Sequence, residues 1–187
     1  YATVDDESCI YPEEVTIHNI QGEVDLSTYD GIPVISSGII TGVSYNGFYM
    51  QDGDGMWNGI WVYAQNVEGF SSLLAGDLVE VEGVVAEYSD LTEIDATRVT
   101  IVSSNNDLPN PVEISTGDLV EAYEGVLVKF SNATCTVLPD EYGEWQVNDG
   151  SGISFIDDKV LSFNPDLNQG YDIVGVGDFS FGLYKVQ

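Results

Sequence analysis

From residue 15 onward, apolar and polar positions alternate with a period of two in short runs, broken by clusters of Gly, Asn and Asp. β-branched and aromatic residues fill the apolar positions, which is the pattern of half-buried strands rather than helices. The expected strands of the first half are 15–20, 34–45, 47–51, 59–63, 77–88 and 92–102. Those of the second half are 126–136, 144–147, 152–156, 171–176 and 179–186. Only 67–75 has a helical look, and it is short. Asn46-Gly47 lies between two runs and reads as a type I′ hairpin, a turn whose two central residues take positive φ.

The polar, Pro-containing stretch from Ser103 to Pro111 reads as a linker. The halves on either side of it repeat each other. Gly47-Phe48-Tyr49-Met50-Gln51-Asp52-Gly53 with Gly59-Ile60-Trp61-Val62 matches Gly143-Glu144-Trp145-Gln146-Val147-Asn148-Asp149-Gly150 with Ile153-Ser154-Phe155-Ile156. Upstream, Ser37-Gly38-Ile39 parallels Glu124-Gly125-Val126; downstream, Glu80-Val81-Glu82-Gly83 parallels Val174-Gly175-Val176-Gly177. Each unit has five strands, a short helix between the third and fourth, and glycines that let the first strand bend around a closed barrel. The expected fold is all-β, two tandem five-stranded OB-fold-like Greek-key barrels. The expected division is an acidic extension at 1–14, a first barrel at 15–104, a linker at 105–111 and a second barrel at 112–187.

Charge narrows the partners. The 187 residues include 4 basic and 32 acidic side chains, a net charge of -28, so a nucleic-acid partner is not expected. With 43% hydrophobic and 11% aromatic residues, the chain is too apolar for an acidic disordered tail. No run of 18 apolar residues occurs, and no membrane insertion is expected. Cys9 and Cys135 fit no zinc spacing. They are either one bridge, closing a long loop for roughly 4–5 kcal/mol in the chain-entropy model, or two thiols. An acidic, Lys-poor surface suits an extracellular or cell-surface protein in a saline or calcium-rich medium.

Little in the chain looks catalytic. The one histidine, His18, has no nucleophile elbow to serve, and no phosphate-cradling loop ends in Lys. Asp52-Gly53-Asp54-Gly55 with Asn58 groups hard oxygen donors in one turn, which suits calcium, although a solvated polar turn is the commoner reading of such a run. Asp5, Asp6 and Glu7 form a second acidic group, and Asn148-Asp149-Gly150 repeats the turn with one carboxylate fewer. OB barrels bind polymers across strands two and three. The candidate ligand-binding residues there are Tyr49, Trp57 and Trp61, flanked by Tyr45 and Tyr63, with Trp145 and Phe155 in the second unit. Strand alternation turns about half of such residues inward. A neutral glycan, or other copies of the chain, fits this charge better than single-stranded DNA.

Residues 15–22, followed by the Gly-Phe-Tyr-Met-Gln-Asp and Gly-Asp-Leu-Val-Glu-Val-Glu-Gly segments, resemble the OB-fold region of secreted bacterial nucleases and related extracellular proteins. Tyr1 to Pro12 resembles the end of an Asp-rich, Cys-bracketed repeat of large secreted proteins exported by the type IX route, with Glu7 in place of the usual Gly. These resemblances imply a tandem OB module cut from something longer. The expected role is a non-catalytic structural, adhesive or assembly module at a bacterial surface, able to form filaments through its N-terminal extension. The alternative is the substrate-positioning region of a secreted endonuclease or phosphoesterase whose catalytic domain lies elsewhere.

Overall fold

The structure, a computed structural model, describes residues 11–187. Cys9, the Asp5–Asp6–Glu7 group and all of the repeat-like stretch but Tyr11 and Pro12 therefore lie outside the described residues.

The first unit runs β1 (Glu13–Glu14), α1 (Ile17–Gln21), β2 (Pro33–Val43), β3 (Gly47–Gln51), β4 (Gly59–Tyr63), β5 (Leu78–Tyr88) and β6 (Leu91–Ser103). Its sheet follows the order β2-β3-β4-β6-β5, and β5 pairs back onto β2 to close a five-stranded barrel. β4 and β6 are parallel and the other barrel pairs antiparallel. The second unit comprises β7 (Val112–Glu113), β8 (Leu127–Val137), β9 (Trp145–Asn148), β10 (Ile153–Ile156), β11 (Gly170–Ser180) and β12 (Leu183–Val186). It repeats the order as β8-β9-β10-β12-β11, closed by β11 on β8, with β10 and β12 parallel. Both halves thus have OB-fold connectivity, and closure leaves neither barrel an open edge.

Alternation along the strands fills each barrel. Val34, Ile40, Phe48, Met50, Ile60, Val62, Val79, Val81 and Ile94 form the first core. Val128, Phe130, Ala133, Cys135, Trp145 and Val147 form the second.

The structure departs from the sequence pattern at several places. Residues 15–20 are not a strand: Ile17–Gln21 is a helical turn, capped by the Thr16 hydroxyl accepting from Asn19 N (3.2 Å) and ended by Gly22 at φ 65°. Its buried residues Ile17, Ile20 and Gln21 follow i, i+3, i+4 spacing, hidden within a β-branched run too short to show a period. Phe70–Ser72 is a single 3₁₀ turn, and no helix occupies the corresponding 157–169. Neither Asn46 nor Gly47 takes positive φ. Gly47 lies inside β3, where a Cβ would overlap the Val62 carbonyl and meet Trp61 Cζ2 at 2.5 Å. The type I′ signature belongs instead to Ser89-Asp90 (φ 55° and 65°) and, at the equivalent hairpin, Phe181-Gly182 (54° and 78°). The break expected near residue 177 therefore falls inside β11.

The duplication also has a different register. Gly31 N donates to Val85 O and Val85 N to Ile32 O; Gly125 N donates to Gly177 O and Gly177 N to Val126 O. Gly125 thus corresponds to Gly31, not Gly38, and Gly83 to Gly175, since Val34 pairs with Gly83 and Val128 with Gly175. The downstream error is two residues, a shift that leaves alternation unchanged. Each repeat moreover opens on a short strand parallel to its first barrel strand, β1 on β2 and β7 on β8.

Candidate functional site

The outer face of β3 and β4 carries Tyr49 and Trp61, directly opposed across the two strands with ring centroids 4.6 Å apart. Both are buried, because the second barrel lies on them. Leu91 of the first barrel and Leu127 and Val176 of the second complete this cluster, with Val160 and Phe179 packed at its margin. The Lys159 ammonium stands 3.8 Å above the Trp61 ring centroid and 4.9 Å from that of Tyr49, a cation–π arrangement.

Polar bonds fix the seam. Tyr49 donates its hydroxyl to Asp178 Oδ1 (2.7 Å), and Lys159 Nζ reaches both the Tyr49 oxygen (2.7 Å) and Asp178 (3.4 Å). Gln187 Nε2 donates to the other Asp178 oxygen (2.9 Å). Asp178 is 1% exposed, so its charge depends on these donors. Burial raises the Tyr49 phenol, helped by the Asp178 charge, and lowers the Lys159 ammonium against the pull of Asp178. Leu127 N donates to Gln51 Oε1 (2.7 Å) and Trp57 N to Ala122 O (2.8 Å). Gly59 and Gly125 bring backbone against backbone: a Cβ on Gly59 would overlap the Gly125 carbonyl. The barrels form one block through the face on which a ligand was expected.

Glu93, across β4–β6 from Trp61, is buried beside Asp95, and desolvation pushes its carboxyl up to about 7 despite Lys159. Between about pH 4.5 and 7 the folded chain keeps a proton that the unfolded chain has released. Stability present below the unfolded value is therefore lost as pH rises through this window. Glu93→Gln is expected to flatten that slope. Denaturant melts at pH 5 and pH 8 check it: the native chain loses more stability between them than the variant does.

The acidic turn is occupied by the protein itself. Asp52 accepts from Ile17 N (2.7 Å), holding the start of α1, and burial raises its carboxyl while that bond lowers it. Asp149, its counterpart, accepts from Thr116 N (3.1 Å) and Thr116 Oγ1 (2.9 Å), so the repeated Asp-Gly turn anchors the segment before each barrel. Hydrogen bonds, first that of the Ser151 hydroxyl, hold Asp149 well below the usual carboxylate range. Asp54 accepts from Asn110 N and Nδ2 (both 2.7 Å), tying the linker to the first barrel, and Asn58 Nδ2 donates to Asp54 O and Met56 O. Among the described residues, no group of three or more His, Cys, Asp or Glu side chains could hold a metal ion. Trp57 sits at φ 67°, half-buried; Tyr45 is exposed.

In the second barrel Trp145 belongs to the core and pairs with Ile156, whereas the register counterparts of Tyr49 and Trp61 are Gln146 and Phe155. Cys135 is buried in that core, its sulfur 3.5 Å from Val137 O. All four basic side chains are paired with carboxylates: Arg98 with Glu82, Lys129 with Glu113, Lys159 with Asp178, Lys185 with Glu144 and Asp157.

Sequence reasoning gave no prominence to a group of glutamates at one end of the seam. Thr92 N donates to Glu124 Oε1 (3.1 Å) and Thr92 Oγ1 to Glu87 Oε1 (2.8 Å), while Tyr184 donates to Glu121 Oε2 (2.7 Å). Burial, sharpened by the Glu121 charge, pushes Glu124 up to about 9. Glu121 is raised by burial too, with Asp25, Glu87 and Asp90 adding to it. One signal was present: Tyr123-Glu124-Gly125 repeats Tyr29-Asp30-Gly31.

No protein-family model matches the chain, and no curated protein matches it. Among solved structures it is similar to the hypothetical protein ygiW from E. coli, at 19% identity and a TM-score of 0.37, over 48% of this chain and 90% of that one. It is also similar to the p204 HINb domain (8% identity, TM-score 0.38, covering 80% and 90%). A third is the Ifi202 HINa domain, solved in complex with 20bp dsDNA (11% identity, TM-score 0.38, covering 84% and 91%).

Proposed function

We propose that this chain is a non-catalytic structural module, a rigid two-barrel block within an extracellular assembly or adhesive protein of a bacterial surface. The observation that supports this reading is the seam. The face through which OB barrels take polymers is filled, in the first barrel, by the second barrel. Tyr49 and Trp61 act as mortar between domains, and a ligand reaching them must first displace a whole barrel. The charge argues in the same direction, since only 4 basic side chains stand against 32 acidic ones and each of the four lies beside a carboxylate. A block this acidic meets its own copies, or a glycan, only where cations screen it.

Light scattering and negative-stain microscopy of the full chain, in calcium and then in chelator, test the reading. Larger species that form in calcium and disperse in chelator are expected. A monomer under both conditions, together with salt-sensitive binding to single- or double-stranded DNA at physiological ionic strength, would overturn it.

A further inference from the structure

The two repeats differ at one strand position, covered in the first barrel and bare in the second. Past Asp95, its last residue paired with β4, β6 runs on beside β5 as far as Ser103. There Ala96 lies opposite Gly83 and Val99 opposite Val81, and both pack on the first core. In the second barrel Val186 and Gln187 stand against Gly175 as Ile94 and Asp95 stand against Gly83. Beyond that point of closure β11 continues with β8 on one side. Among the described residues no strand lies on the other side of 170–174.

Backbone and side chains both mark this edge. Val176 exchanges its two backbone bonds with Gln187, and strand alternation turns the N–H and C=O of Val174 to the same side. Lys129, the residue paired with Val174 on β8, gives its carbonyl to Ile114 N (3.1 Å), away from β11. Val174 thus presents a donor and an acceptor that have no backbone partner among the described residues. The core beneath is thinly covered. Val79 and Val81 are fully buried under β6, while their counterparts Tyr171 and Ile173 are only half-buried and Val174 is exposed. A bare apolar edge of this kind accepts an added strand.

We infer that this edge of β11 receives residues 1–10 of a second copy, which add to it as an antiparallel strand. The inference rests on the assembly proposed above and names the contact that carries it. Every described strand longer than two residues already belongs to a barrel, which leaves the residues that precede Tyr11. β6 shows what such an edge accepts: a small residue beside the glycine, then a β-branched apolar one against the core. Ala2-Thr3-Val4 supplies that order, for the places beside Gly175, Val174 and Ile173. The edge at 170–174 is about 17 Å long, and ten extended residues reach about 33 Å, enough to cover it and lead back to Tyr11. Donor and acceptor are different parts of the chain, so the contact is head-to-tail and propagates as a filament unless its rotation closes a ring. Asp5 and Asp6 then come alongside the exposed Asp172, so the strand seats only where cations screen them.

Disulfide trapping in the full chain tests the contact, with Cys9→Ser as the background. One chain carries Thr3→Cys and the other Val174→Cys, positions that the pairing sets opposite each other. Mixed in calcium under mild oxidation, they are expected to give a reducible mixed dimer at roughly tenfold or more the yield of either chain alone, because seated thiols meet at high effective concentration. Val4→Asp lies outside residues 11–187 and leaves both barrels as they are. It is expected to abolish the mixed dimer and the larger species formed in calcium. Circular dichroism melts confirm that each variant is folded. Suppose the native chain assembles in calcium, but the mixed dimer stays at the single-chain yield or folded Val4→Asp assembles as the native chain does. The assignment of this edge is then overturned while the assembly reading stands. A native chain that stays monomeric in calcium overturns both.

Discussion

Replacing Gly59 by valine is expected to split the unfolding of the chain into two transitions. Valine suits β4, where flanking positions carry Ile60 and Trp61, so the strand itself loses nothing. The damage falls on the other side of the strand. A Cβ at residue 59 would overlap the Gly125 carbonyl, and backbone cannot swing aside as a side chain tip does. Gly125 is equally confined: at φ 71° its own Cβ would stand 2.8 Å from Ile60 Cα. The second barrel must back away, taking with it the Leu127–Gln51 and Trp57–Ala122 bonds and the cover over Tyr49 and Trp61. The loss is about 4 kcal/mol or more, at the upper end for single substitutions. Differential scanning calorimetry checks it. One cooperative peak for the native chain and two for Gly59→Val are expected, with increased tryptophan quenching by iodide in the variant at room temperature.

The second large effect belongs to Lys159. Lys159→Met leaves Asp178 in the seam with the Tyr49 hydroxyl and the Gln187 amide but without a cation. A buried charge that loses its partner costs about 3–5 kcal/mol. The loss is expected to come from the orphaned carboxylate rather than from the missing attraction. Adding Asp178→Asn in the Lys159→Met background should therefore restore most of the stability, while Asp178→Asn alone is also destabilising. A double-mutant cycle by urea denaturation reads this directly, and the two substitutions are close enough to be strongly non-additive. Equal and additive losses would mean that the pair is solvated and the seam is wet.

Much of the fold was legible because strand alternation and barrel-bending glycines are local signals. The runs at 47–51 and 59–63 coincide with β3 and β4, and the repeated Asp-Gly turn marks the same hairpin in both units. The departures each have a physical cause. Val15-Thr16-Ile17 is β-branched, and one helical turn is too short for its period to outweigh that composition. Asn46-Gly47 is a strong hairpin dipeptide, but its glycine serves close packing beneath Val62 and Trp61, while the I′ turns use Ser89-Asp90 and the sterically unlikely Phe181. The downstream repeat register, displaced by two residues, keeps every residue there on its expected face, so alternation alone could not correct it.

The seam was not legible at all. An outward-facing aromatic pair on an OB barrel reads the same whether it awaits a ligand or another barrel. What decides between them is tertiary: Gly125, Leu127, Lys159, Val176 and Asp178 arrive from far along the chain to cover Tyr49 and Trp61. The glutamate group was hidden for a related reason. Among 32 acidic residues, only burial distinguishes Glu87, Glu121 and Glu124 from solvated ones.

Residual dipolar couplings of the native chain in one alignment medium test the central claim, that two barrels share a single rigid frame. Amide couplings from residues 33–103 and from residues 127–186 are fitted separately. The account predicts one alignment tensor, equal in magnitude and orientation for both sets. Different tensors, or a reduced magnitude for one barrel, would show that the barrels move independently and that the aromatic pair is open to a ligand after all.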